Sequence, residues 1–262
     1  MIKIAIASQK GGCAKTTTAL ALFHHFRLAG ERVLGIDLDP QMDFTLSLPG
    51  METVINGKDV ASLLLGKSSL ADCARPFTDP DTPGENAAVL PGSLAASALE
   101  VLLTGPDRQS RLADALRPYE EAFDYCVIDC PPGLGVLSLS GLVASDWVVV
   151  PAGADMYALQ ALRQLSETLG AVRSRWNHDL KVAGLLLTRH DARSTLSKQM
   201  EAALRDAAQL IDAEPFPTPI RASVVVQEAI ASRRALATYA PRARANQDYQ
   251  DFIQELMRRI HG

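Results

Sequence analysis

The run Lys10-Gly11-Gly12-Cys13-Ala14-Lys15-Thr16-Thr17 holds the residue types needed to bind a chain of phosphates. Such a ligand demands inward-pointing backbone N–H groups, a close approach free of Cβ atoms, and a fixed cation. Gly11, Gly12 and Lys15 supply these, and Thr16 has the place of a magnesium-binding hydroxyl. Lys10 to Thr17 as a whole, with Cys13, Ala14 and Thr17, is therefore expected to cradle a nucleotide. Ala14 stands where a phosphate loop usually has its second glycine. If that position needs a positive φ, alanine costs about 1 kcal/mol there; in a first helical turn it costs nothing.

The surrounding pattern positions this loop. Ile2 to Ser8 is a short apolar run of strand type, and Thr16 to Leu28 carries apolar residues at helical spacing. Gly30 is a plausible helix stop, and Arg32 to Asp37 reads as the next strand, completing a βαβ unit. Tyr125 to Asp129, Trp147 to Ala152 and Val182 to Thr188 are further strand-length runs, separated by helical segments such as Ala158 to Trp176. This alternation implies a single-domain α/β fold: a mainly parallel twisted sheet with helices on both faces. Ser68 to Gly92, rich in Pro, Asp and Gly, reads as an irregular surface excursion with a short strand near Ala88 to Leu90.

Three carboxylates end strands or follow them. Asp129, closing a buried strand, is placed to hold magnesium through water, since hard cations prefer oxygen and keep part of their hydration shell. Asp39, on the loop after the second strand, is placed to orient the water that attacks a γ-phosphate. Adenine contacts are expected from the ends of the later strands, around Thr188, Arg189 and Ile220.

Composition narrows the classes. No stretch is as long and uniformly apolar as a membrane span, and Met1-Ile2-Lys3 leads straight into a strand-like run, so a cytoplasmic protein is expected. The four cysteines suggest neither a zinc site nor a disulfide framework; buried thiols are expected, with Cys13 the one open to oxidation or alkylation. The net charge of -4 argues against a wholly nucleic-acid-binding surface, yet from Lys181 onward basic residues outnumber acidic ones by about three. In the last segment Tyr249, Phe252, Ile253, Leu256, Met257 and Ile260 share a helical face. The opposite face mixes acids with Arg258 and Arg259, so packing against the domain is expected and not a membrane-surface helix.

Lys10-Gly-Gly-x-x-Lys15-Thr resembles the deviant Walker A box of the ParA/MinD family of P-loop ATPases. Asp37-Leu-Asp39-Pro-Gln41 looks like that family's DxDPQ motif, and Cys126-Val-Ile-Asp129-Cys-Pro-Pro132 like its hhhDxPP strand end. The likeness spans essentially the whole chain. It implies ATP and Mg2+ as ligands, Asp39 as the hydrolysis residue, and Asp37 beside Thr16 and Asp129 in the magnesium site. Lys10 would act with Lys15 and Asp39 in catalysis, reaching the phosphates of a partner's ATP in a homodimer that sandwiches two nucleotides.

Within the family, ParA-type members bind DNA without sequence preference and MinD-type members bind membranes. Leu187-Thr-Arg-His-Asp-Ala-Arg193 looks like the ParA-type LTxxDxR segment, which makes Arg193 a DNA-contact candidate. Ile220 to Ala229 resembles a ParA-type segment running from Ile-Pro to Glu-Ala, with Arg221 in place of the usual proline. Arg233, Arg234, Arg242 and Arg244 follow, and these with Arg221 are the further DNA candidates. Little precedes the first strand, so the resemblance is to the compact Soj type: residues 1–262 as one ATPase domain without an N-terminal helix-turn-helix domain. What this implies is a nucleoid-associated partition ATPase, reset by a ParB-like centromere-binding partner that stimulates hydrolysis, without stable membrane insertion. The alternatives within the fold are a MinD-like division-site ATPase and a metabolic ATP-coupled enzyme.

Overall fold

A computed structural model describes residues 1–52, 57–105, 107–153, 157–191 and 193–262. Seven strands form one sheet: β1 (Ile2–Ile6), β2 (Val33–Asp37), β3 (Arg75–Asp79), β4 (Thr82–Leu90), β5 (Tyr125–Asp129), β6 (Trp147–Gly153) and β7 (Lys181–Thr188). Their order is β3-β4-β2-β5-β1-β6-β7. Every pairing is parallel except β3 with β4. Six parallel strands thus end on one edge, and the register sets Asp37 beside Asp129 and Asp129 beside Ile6.

The strands separate two apolar cores by alternation. Ala5 and Ala7 face one core with Leu34, Ile36 and Ile128, while Ile4 and Ile6 face the other with Val33, Val127 and Phe23. Gly35 of β2 lacks a side chain for a packing reason: a Cβ there would lie 2.8 Å from the Phe44 ring. The C-terminal helix (Arg244–His261) buries Tyr249, Phe252, Ile253 and Leu256 in the second core, with Met257 and Ile260 packed against it. Its apolar stripe is spent on the domain. Among the described residues no helix is long and apolar enough to cross a membrane.

The stretch from Ser68 to Gly92 is not an irregular excursion. It holds a short helix (Leu70–Cys73) and the β3–β4 hairpin, and nine-residue β4 pairs in parallel with β2. Its Pro and Gly hide strands because β3 is an edge strand, where Pro76 forfeits no needed ladder bond. Contacts far along the chain fix the hairpin. Arg27, on the helix Lys15–Leu28, donates to Asp79 at 2.9 Å and to the Thr82 carbonyl at 2.7 Å, and Phe77 packs on Phe23.

His24 lies on the same helix, 6% exposed, beside the Arg27–Asp79 pair. Burial, then the Arg27 charge, pulls its pKa down to about 4, with Asp79 opposing. The unfolded chain therefore takes up this proton first as pH falls, so the stability present above about pH 6.5 is lost toward pH 4. Between pH 7.5 and 5 this group should remove roughly 2 kcal/mol of unfolding free energy. Urea melts at the two pH values should show a smaller loss for His24→Gln; an equal loss contradicts the assignment.

Candidate nucleotide and magnesium site

The phosphate loop leaves β1 and turns into the helix Lys15–Leu28. Gly12 has φ 73°, and Ala14 sits at the helix N-cap with φ 63° and ψ 32°. Position 14 is therefore left-handed, and the chain carries the strained alternative. Two bonds hold it there: the Thr18 amide and hydroxyl both donate to the Ala14 carbonyl, at 2.9 and 2.8 Å. Ala14→Gly should remove about 1 kcal/mol of strain and raise Tm by about 2–4 °C. An unchanged or lowered Tm by calorimetry contradicts this.

Nothing within 4 Å occupies the space where a Gly11 Cβ would stand, and at Gly12 the first atom met is the Arg189 guanidinium at 3.8 Å. The mouth of the loop is open to a ligand. Lys15, 6% exposed, donates its Nζ to the Lys10 carbonyl at 3.0 Å. Its charge is thus held over the loop. The Cys13 thiol is 2% exposed and donates to the same carbonyl, so the expectation of an accessible thiol is not met. All four cysteines are free and buried. Lys10 is half-buried and lines a small cavity with Ser8, Val150 and Ala152.

The carboxylates meet this loop at the ends of β2 and β5. Thr16 donates its hydroxyl to Asp129 Oδ2 at 2.7 Å, while the fully buried Asp129 Oδ1 has no hydrogen-bond partner among the described residues. Burial first, then the neighbouring Asp37, push the Asp129 carboxyl well above the usual carboxylate range, against the pull of Thr16 and Lys15. Asp37, equally buried, is also raised, mainly by burial. It is, however, well supplied with donors. Its Oδ1 accepts the Asp39 amide at 3.1 Å, and its Oδ2 accepts the Thr45 amide and hydroxyl at 2.9 and 2.6 Å.

Two buried carboxylates side by side, one oxygen unsatisfied, and a lysine nearby form an arrangement that a cation completes. Asp129 Oδ1 and the Thr16 hydroxyl fit magnesium, which keeps several waters and takes few protein oxygens. Among the described residues there is no cluster of three or more His, Cys, Asp or Glu able to hold a metal, so a closed protein cage is not what this site offers. Asp37 fits a supporting role, since its oxygens are occupied by the loop it anchors.

Asp39, 8% exposed, accepts the Gln41 amide on Oδ1 at 2.9 Å and follows Asp37 on the same anchored loop. Thr188 is fully buried and donates to the Cys13 carbonyl at 2.9 Å, bracing the phosphate loop from below. Arg189, with φ 54°, donates to the Gly12 carbonyl at 3.2 Å. Ile220 is 3% exposed, and its amide donates to the Leu187 carbonyl at 2.8 Å. Thr45 and Gly92 belong to the site without any sequence signal. The Gly92 amide donates to Thr45 Oγ1 at 2.9 Å, and a Cβ at Gly92 would come within 2.9 Å of the Asp37 carboxyl carbon.

The arginines divide. Arg221 grips Asp248 through two bonds of 2.6 Å, and Arg233 and Arg234 pair with Glu52 and Asp81. Arg193 has a side chain 94% exposed beside Asp191 at 3.5 Å, and Arg242 and Arg244 are exposed without a carboxylate partner among the described residues. Ala192, within the segment ending at Arg193, lies outside the described residues.

Known proteins are similar to this chain over nearly its whole length. A family model described as an AAA domain matches residues 1–182. The sporulation initiation inhibitor protein Soj of Bacillus subtilis is 35% identical over 254 residues, covering 97% of each chain. The chromosome-partitioning ATPase Soj of Thermus thermophilus is 34% identical over 258 residues, covering 98% of this chain and 96% of the relative. The chain belongs to the ParA/Soj family of ATPases. The fold extends to a cobyrinic acid a,c-diamide synthase from Mycobacterium smegmatis with bound ADP and magnesium. That structure has a TM-score of 0.82 and 29% identity, with 100% of this chain and 96% of the other covered. The ParA/Soj site therefore sits on a fold that also carries a metabolic enzyme, and the arginine-bearing surface has to be judged apart from the nucleotide site.

Proposed function

We propose that this ParA/Soj chain is a partition ATPase that dimerises on ATP, binds DNA without sequence preference, and is reset by hydrolysis that a ParB-like partner stimulates. The observation that carries the nucleotide part is the contact of Thr16 with Asp129, which leaves Asp129 Oδ1 open beside the phosphate loop. Lys15 and the loop amides would hold the phosphates, and Thr16 and Asp129 would hold magnesium, which would supply neutralisation of phosphate charge. Asp39 orients and partly deprotonates the attacking water.

Lys10 serves the partner's ATP. A charge-assisted contact available only when nucleotide is bound gives the dimer a nucleotide-dependent free energy, and hydrolysis removes it. Arg193, Arg242 and Arg244 make the DNA contact, whereas Arg233 and Arg234 join only by giving up Glu52 and Asp81. Arg221 remains with Asp248. The reading places the protein on the nucleoid.

The test is ATP-dependent DNA binding across a salt series, with liposome sedimentation alongside. Three arginines per subunit in a dimer give a log–log salt slope of roughly -5, and Arg193→Ala should reduce it by about 2. Binding to liposomes and not to DNA would overturn the partition reading.

A further inference from the structure

The loop from Asp129 to the helix Val136–Val143 is held at its near end by the sheet. The Cys130 amide donates to the Ile6 carbonyl at 3.2 Å and the Gly133 amide to the Gln9 carbonyl at 3.1 Å. Pro131 and Pro132 contribute no N–H. At the far end the helix begins at Gly135, which has no side chain to cap it, and its first turn carries no acidic residue. The cap comes from elsewhere. Glu100, on the short helix Leu99–Leu102, accepts the Val136 amide on Oε1 at 2.6 Å. A Cβ at Gly135 would stand 1.9 Å from that oxygen, so the missing side chain is the room the carboxylate uses. Leu99, fully buried beside it, anchors Glu100's helix in the core.

The geometry points to Glu100 as a positioning residue for the magnesium site: it fixes the far end of the loop whose near end is Asp129. The inference rests on the nucleotide reading above and adds to it a residue outside the three motifs. A carboxylate on a helix N-terminus is a charge-assisted bond at a positive dipole end, stronger than a neutral cap. Without it the loop keeps, among the described residues, the Cys130 and Gly133 amide bonds and the Ser138 hydroxyl bond to the Pro131 carbonyl at 3.2 Å, and its far end loses its charge-assisted hold. Asp129 keeps its strand pairing and the Thr16 bond, and it is the loop running from it past Gln9 that loses its fixed path beside the magnesium site.

Two independent changes break the contact. Glu100→Ala removes the carboxylate, and Gly135→Ala displaces it while keeping its charge; Glu100→Gln keeps an acceptor and should be milder. In nucleotide-free protein, hydrogen exchange across residues 130–137 should rise about fivefold in the first two variants, the size of a lost cap. The Mg2+ concentration for half-maximal ATP turnover should rise by about the same factor, with ATP binding in EDTA held within about twofold. The double variant should be no worse than the worse single one. Unchanged exchange overturns the proposal. So does faster exchange with an unchanged Mg2+ response, which would make Glu100 a local cap only. If the wild type turns over no ATP, the nucleotide reading fails, and the exchange arm still decides whether Glu100 holds the loop.

Discussion

Asp39→Ala should bind ATP as the wild type does and hydrolyse it about 10²–10⁴-fold more slowly, the span typical of a lost general base. The reason binding survives lies in how the loop is held. The Asp37 carboxylate grips the Asp39 backbone amide at 3.1 Å, and that amide is untouched by the substitution. Among the described residues the side chain itself supports only the Gln41 amide, at 2.9 Å. Truncation therefore costs one local turn bond and the reacting carboxylate. Lys15, Thr16 and Asp129 keep their places. Single-turnover kinetics with labelled ATP separate the two effects. Retained turnover would show that the hydrolytic carboxylate lies elsewhere.

Asp129→Asn should do something less usual: abolish magnesium-dependent turnover while stabilising the empty protein. The wild-type carboxylate is fully buried next to Asp37, and burial and that neighbour both oppose its charge. An asparagine keeps an oxygen for the Thr16 hydroxyl and carries no charge, which removes both the cost of burying one and the repulsion from Asp37. In EDTA, without nucleotide, we expect a gain of about 1–3 kcal/mol, read as a rise in Tm of about 2–12 °C. With ATP and Mg2+ the order reverses, because only the wild type gains the stabilisation that ligand binding brings. Turnover should fall at least about 100-fold. A destabilised empty variant would mean that the buried pair is not under electrostatic strain.

Much of this site was legible because its parts are local. β1, β2, β5, β6 and β7 are short, mostly apolar runs; Asp37 and Asp129 close β2 and β5, and the phosphate loop and Asp39 come within a few residues of the ends of β1 and β2. The β3–β4 hairpin was not legible, since its Pro76, Pro83 and Gly84 carry turn chemistry and its support comes from Arg27 and Phe23 on a distant helix. Position 14 could be reduced to two alternatives from its residue type, and only backbone geometry selects between them. Thr45, Gly92 and Glu100 were invisible for another reason. Their contacts reach 8, 47 and 36 residues along the chain, to partners that no spacing rule connects. Arg221 shows the converse case: placed in an arginine-rich stretch, it is occupied by Asp248, 27 residues later.

The central claim is that ATP is part of a subunit interface, and molecular mass tests it most directly. With Asp39→Ala to keep the nucleotide intact, light scattering in ATP and Mg2+ should give twice the 28.2 kDa chain mass, and in ADP the mass of one chain. Adding Lys10→Ala should return the ATP sample to a single chain. A mass of one chain in saturating ATP, or a dimer indifferent to Lys10, would contradict the account.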